Sequence, residues 1–141
     1  MNHETKHYES HLSIHLILVV KYRKQLLIKY GEEIKELLKE RSELSNTFEI
    51  SKMEADKDHI HLLINFLPTE PISNIVKQLK SYSVFHIWDR HEKELKNQFW
   101  KRKMFWSPSY YVSSVGNMDN EVVTEYIKAQ GTRPQNIHPR S

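Results

Sequence analysis

The hydrophobic periods of this chain run strand, helix, strand, strand, helix, strand. That order predicts an α+β domain of the ferredoxin-like type, a four-stranded antiparallel sheet with both helices on one face. Two observations carry the prediction. Residues 11–21 and 59–64 alternate with the period of a strand, and residues 32–43 and 72–90 repeat apolar side chains at helical spacing. A further helix is expected after the fourth strand, from about Asp119 to Gln130. At 141 residues the chain has the size of one domain. It reads as a single domain over 1–141, with its core in about 8–131 and a polar, proline-containing flexible tail over 132–141.

Taken in order, Leu12, Ile14, Leu16, Leu18 and Val20 form one face of the first strand, and His11, Ser13, His15, Ile17 and Val19 the other. Gly31 precedes a helix expected from Glu32 to Glu43, in which Ile34, Leu37, Leu38 and Arg41 share a face. A second strand, about Thr47 to Ala55, joins the His59 strand through Asp56-Lys57-Asp58, so the two should form an antiparallel hairpin. Residues 65–70 turn the chain, and Pro71 suits the first turn of a helix running to about Arg90, whose core face is Ile72, Ile75, Val76 and Leu79. The fourth strand is expected over Ser109–Val115. The last helix is bracketed by Gly116 and Gly131, as would suit hinges.

Composition narrows the function classes. No apolar run approaches a membrane span, the N-terminal residues lack the form of a signal peptide, and cysteine is absent. This fits a cytoplasmic protein without disulfides or thiolate chemistry. No GxxxxGK[ST] loop is present, so no nucleotide cofactor is expected. The net charge of +3 is mildly basic. Its distribution says more, because Lys101, Arg102 and Lys103 stand between Phe99-Trp100 and Phe105-Trp106. Cations meeting phosphates and rings stacking on bases would suit a nucleic-acid single strand. A loop whose aromatics pack onto the domain and whose charges are solvated has the same composition. Lys77 and Lys80, on or beside the polar face of the second helix, are further candidates for phosphate contact, although solvated lysines are common there.

The chemistry-bearing stretch is Asp58-His59-Ile60-His61-Leu62-Leu63-Ile64. In a strand His59 and His61 share a face, while Ile60, Leu62 and Ile64 enter the core. Two adjacent imidazoles suit a divalent metal, but an amphipathic strand with histidines on its solvent side has the same spacing. His15 reads as a packed or hydrogen-bonded histidine. The last helix supplies what the pair lacks. Gln130 falls on its apolar arc, where an amide needs a polar partner; it could cap the helix end, as amides commonly do, or give a carbonyl oxygen as a third ligand. Tyr126 lies one turn earlier, so whatever brings the amide to the metal brings the phenol too. A phenol is a poor nucleophile at neutral pH, but it can attack a phosphodiester whose oxygens a metal has relieved of charge.

These residues resemble a known family. His59-Ile60-His61 matches the HUH motif, Tyr126 matches a single catalytic tyrosine, and Gln130 matches the ligand one turn after it. With the basic exit Lys21-Tyr22-Arg23 and the run Phe105 to Gly116, the chain resembles the HUH single-tyrosine transposases of bacterial insertion sequences, the TnpA type. The resemblance covers nearly the whole chain, and Phe99 to Met104 finds no role in it. It implies a homodimer in a bacterial or archaeal cell that uses Mg²⁺ or Mn²⁺ and binds hairpins in single-stranded DNA at element ends. It also implies cutting and rejoining of strands through a 5′-phosphotyrosine, with the tyrosine helix able to serve the partner's site. Replication initiators and conjugative relaxases share the chemistry but usually carry further domains. A structural zinc site would want four closed ligands. The reading from another class is a non-catalytic single-stranded DNA- or RNA-binding module on the same sheet, which would need neither histidine.

Overall fold

The computed structural model describes residues 12–115. The expected tyrosine helix with Gly116, Tyr126, Gln130 and Gly131, and the expected tail, lie outside the described residues. Within them the order is β1 (Leu12–Val20), α1 (Leu27–Glu43), β2 (Phe48–Ala55), β3 (His59–Phe66), α2 (Ile72–Gln98) and β4 (Trp106–Ser114), with a short 3-10 turn, Lys21–Arg23, after β1. The strands form one sheet in the order β2-β3-β1-β4, and every neighbouring pair is antiparallel. This is the expected ferredoxin-like arrangement.

Alternation decides which face is which. Ile14, Leu16, Leu18 and Val20 of β1 and Ile60, Leu62, Ile64 and Phe66 of β3 are buried with Ile34, Leu37 and Leu38 of α1 and Ile75, Val76 and Leu79 of α2. Both helices therefore cover one face, and His59 and His61 belong to the other. No helix among the described residues is long and apolar enough to cross a membrane.

Two irregularities in register keep the faces in phase. Ile50 pairs with Ile64 and Lys52 with Leu63, so Ser51 is an extra residue in β2. Before this bulge Phe48 and Ile50 point into the core, and after it Met53 and Ala55 do, so Lys52 and Glu54 lie on the histidine face. In β4, Trp106 pairs with Val20 and Tyr110 with Leu18, so Ser107, Pro108 and Ser109 stand opposite Val19 alone, two residues more than a regular ladder holds. Pro108 is tolerated because β4 is an edge strand.

Element boundaries depart from the sequence expectation at three places. Helix α1 begins at Leu27, so Gly31 lies inside it rather than before it. Leu27 and Tyr30 continue the buried stripe of Ile34, Leu37 and Leu38 one turn backwards, and that burial outweighs the low helix propensity of glycine. Helix α2 runs past Arg90 to Gln98 through a kink at His91 (φ −133°, ψ 37°). The extension is held by the fully buried Leu95 and by ties to α1, with His91 Nε2 2.8 Å from Glu33 and Tyr30 donating to Glu94 at 3.0 Å. Strand β4 starts at Trp106 rather than Ser109, because Trp106 packs in the core and its indole N–H donates to Ser83 at 3.0 Å.

Candidate active site

The histidine face of the sheet collects its polar residues from three strands. Register places Glu54 of β2 and Ile17 of β1 on either side of His61, and Val19 beside His59. The i, i+2 spacing of His59 and His61 is therefore realised on one face of a central strand, which neighbours on both sides hold in place.

The two imidazoles have different environments. His59 Nδ1 lies 3.0 Å from Oδ1 of Asp58, and the other oxygen of that carboxylate accepts from Arg23 Nε at 3.0 Å. Burial by itself raises the Asp58 pKa, but the hydrogen bonds from His59 and Arg23 outweigh it and hold the carboxyl below its ordinary value. His61 Nε2 lies 2.8 Å from His15 Nδ1, with ring centroids 4.9 Å apart. Burial, followed by the neighbouring His15, lowers the His61 pKa, while Glu54 opposes the shift. The shift favours the neutral imidazole, the form in which a histidine can ligate a metal. His15 is the hydrogen-bonded histidine that its spacing suggests.

A pocket of about 120 Å³ opens between His15, Lys52, Glu54, His61 and Leu63. At about 30 Å³ per water it has space for a few waters or a hydrated ion. Two imidazoles on one face fit half of a metal's needs. Among the described residues no group of three histidine, cysteine, aspartate or glutamate side chains could hold an ion. Any third ligand must therefore come from another residue type or from outside residues 12–115.

Arg23 reaches Asp58 through an unusual backbone. Tyr22 (φ 60°) and Arg23 (φ 53°) both adopt the left-handed region without being glycine. Such residues cost on the order of 1–3 kcal/mol each and persist only where their surroundings enforce them. Here the turn is pinned by Lys21 N–H to the Phe105 carbonyl at 2.8 Å, and by Leu27 N–H to the Lys57 carbonyl at 3.0 Å. Spacing rules pass over Arg23 and Asp58. The available signal is an acid immediately before a histidine at the start of a strand.

The candidate cations are dispersed. Lys101, Arg102 and Lys103 are exposed, Lys101 lying 5.5 Å from the ring centre of Trp100. Phe99, Phe105 and Trp106 are buried in the domain, and Trp100 alone of the four aromatics is open, at 80% exposure. Packing thus accounts for most of that segment. Lys77 borders a cavity of about 430 Å³ with Arg41, Tyr82 and Phe85. Lys80 and Lys103 border another of about 330 Å³ with Trp106. Neither cavity touches His59 or His61. The Lys80 ammonium donates to the Ser107 carbonyl at 2.8 Å, and burial pushes its pKa down to about 8.

The tyrosines also separate by position. Tyr22 is exposed, Tyr30 and Tyr110 are buried, and Tyr82 donates to Glu40. Tyr111 pairs with Ile17 and so lies on the histidine face, two strands from His61. Tyr8 and Tyr126 lie outside the described residues.

Likeness to known proteins decides the family. The model of the family described as "Transposase IS200 like" matches residues 8–130, a span that includes both histidines, Tyr126 and Gln130. This chain belongs to the IS200-like transposase family. Such a transposase is a DNA-processing enzyme. Among its relatives in that family, the ISDra2 transposase TnpA of Deinococcus radiodurans is 32% identical over 124 residues, covering 87% of this chain and 86% of the relative. The transposase for insertion sequence element IS200 of Salmonella typhimurium is 31% identical over 119 residues, covering 82% and 74%. A crystal structure of a transposase candidate from Deinococcus radiodurans R1 superposes with a TM-score of 0.77 at 30% identity, covering 87% of this chain and 93% of that one. A REP-associated tyrosine transposase bound to a REP hairpin shares the fold, with a TM-score of 0.56 at 14% identity over 95% of this chain and 74% of that one.

Proposed function

We propose that this transposase is a metal-dependent single-stranded DNA strand transferase whose nucleophile is Tyr126. The observation that carries the reading is the pair His59 and His61, side by side on the sheet face the helices leave uncovered, in a chain whose family match extends through Tyr126 and Gln130.

His59, His61 and the amide oxygen of Gln130 would hold a Mg²⁺ or Mn²⁺ ion, which when bound draws charge from the phosphate oxygens and supports the departing 3′ oxygen. The Tyr126 hydroxyl gives up its proton and attacks the phosphorus, forming the Oη–P bond as the bond to the 3′ oxygen breaks. The 3′ oxygen takes a proton and leaves as a free hydroxyl, while the 5′ phosphate stays on Tyr126. A second strand's 3′-OH then attacks that phosphorus, restoring the diester and the phenol. One phosphodiester is exchanged for another, so no nucleotide cofactor is consumed. The DNA taken is a single strand carrying hairpins, as in the hairpin-bound REP-associated enzyme of the same fold. The active form is a homodimer in which the tyrosine helix of one subunit can serve the other.

The test is incubation with end-labelled single-stranded DNA and Mg²⁺ or Mn²⁺, followed by denaturing electrophoresis. The expected result is a denaturant-resistant adduct with wild type and none with Tyr126→Phe, His59→Ala or His61→Ala. DNA binding that needs neither histidine and never gives an adduct would establish the non-catalytic binding module instead.

A further inference from the structure

Beside the residues that would carry the cleavage chemistry runs a chain of contacts from Arg23 through Asp58 to His59. Asp58 ends the short link between β2 and β3, and its side chain is largely buried, at 12% exposure. Its two oxygens are divided between two partners, Oδ2 receiving Arg23 Nε at 3.0 Å and Oδ1 facing His59 Nδ1 at 3.0 Å. The backbone clamps the same spot, because the Asp58 carbonyl accepts the Val20 N–H at 2.9 Å. Left-handed Tyr22 and Arg23 then turn the chain so that the guanidinium returns to that carboxylate.

A buried carboxylate needs partners, so charge compensation alone would explain Arg23. It does not explain why the second oxygen is spent on one nitrogen of the first HUH histidine. A carboxylate already receiving an N–H from arginine acts as an acceptor, so the shared proton resides on His59 Nδ1. That leaves the Nε2 lone pair as the ring's donor to a cation. A second partner of this kind fixes both the tautomer and the rotation of a ligand histidine. Among the described residues His61 has no carboxylate hydrogen-bond partner and meets His15 instead.

We propose that Arg23 and Asp58 are positioning residues that hold His59 as the Nδ1–H tautomer, with Nε2 presented to the divalent cation. This rests on His59 being a ligand in the proposed function. The test has two arms, both without DNA. Two-dimensional ¹⁵N–¹H spectroscopy of the metal-free imidazoles at pH 8 reads the tautomer, and titration with Mn²⁺ alone reads affinity.

Wild type should show His59 protonated at Nδ1. Asp58→Ala should move the proton toward Nε2, the position imidazole favours in water, and weaken Mn²⁺ binding by roughly 10- to 100-fold. Arg23→Gln should give a smaller loss and Arg23→Lys should restore part of it. Asp58→Asn, which preserves volume if the alanine variant does not fold, should mix the two tautomers. The positioning role is overturned if His59 is protonated at Nε2 in wild type. It is equally overturned if every folded Asp58 variant keeps the Nδ1–H form and binds Mn²⁺ within about twofold of wild type. A wild type with the expected tautomer, responsive to Asp58, that binds no Mn²⁺ upholds the relay and overturns the metal reading beneath it.

Discussion

His59 and His61 occupy the same face of β3 yet engage opposite kinds of neighbour, a carboxylate for one and a second imidazole for the other. If both are ligands, His59→Ala and His61→Ala should each lower strand cleavage by at least about 100-fold, because removing a ligand removes the charge stabilisation that makes a phenol competent. Gel-shift affinity for the same DNA should change little. Lys80 offers an independent check of the electrostatics. Its pKa is depressed to about 8, below the ordinary lysine value, so between these two values the unfolded chain binds a proton that the folded chain does not. Folding stability should therefore rise with pH across this window, by about 1–3 kcal/mol more in wild type than in Lys80→Met. Equal pH profiles in urea denaturation would mean the ammonium is solvated. Residue by residue, the pairing of His59 with His61 was legible because strand alternation is strict. The Arg23–Asp58 contact was not, since it joins residues 35 apart through a left-handed turn that no spacing rule anticipates.

Helices and strands were legible where burial is one-sided and obscured where a punctuating residue misleads. Gly31 reads as a helix boundary, yet Leu27 and Tyr30 already continue the buried stripe behind it. Among the described residues, a Cβ added at Gly31 would meet Leu27 Cβ at 3.9 Å, an ordinary contact. Gly31→Ala should accordingly stabilise the domain by about 0.5–1 kcal/mol through helix propensity and unfolded-state entropy, as thermal or urea unfolding would show. The bulge at Ser51 was written in the sequence as a change of phase, with Phe48 and Ile50 in one parity and Met53 and Ala55 in the other. Deleting Ser51 should remove the bulge yet keep Ile50, Met53 and Ala55 in the core and Lys52 and Glu54 on the histidine face, because the remaining residues pair one to one with β3; urea unfolding should then show a change of no more than about 1 kcal/mol. A deletion variant that fails to fold would show that β2 needs the bulge itself and not only the alternation on either side of it. The far end of α2 escaped the periodicity because its contacts to α1 are polar, through His91 and Glu94 rather than an apolar stripe.

At the scale of the whole molecule, one sheet separates two tasks. The helix-covered face supplies stability, and the other presents His15, His59, His61 and Glu54 from three adjacent strands. The family match extends beyond the described residues to Tyr126 and Gln130, so the proposed site joins the sheet to a segment that follows it. If that segment serves the partner subunit, mixing Tyr126→Phe and His61→Ala chains should restore cleavage that neither homodimer has, through the one composite site carrying neither substitution. No recovery in a verified mixed dimer would place each tyrosine with its own histidines. The most direct test of the central claim is peptide mapping by mass spectrometry of the covalent adduct formed with single-stranded DNA and Mn²⁺. The account predicts a nucleotide joined through its 5′ phosphate to the peptide bearing Tyr126, whereas attachment at Tyr111 on the histidine face, or linkage through a 3′ phosphate, would contradict it.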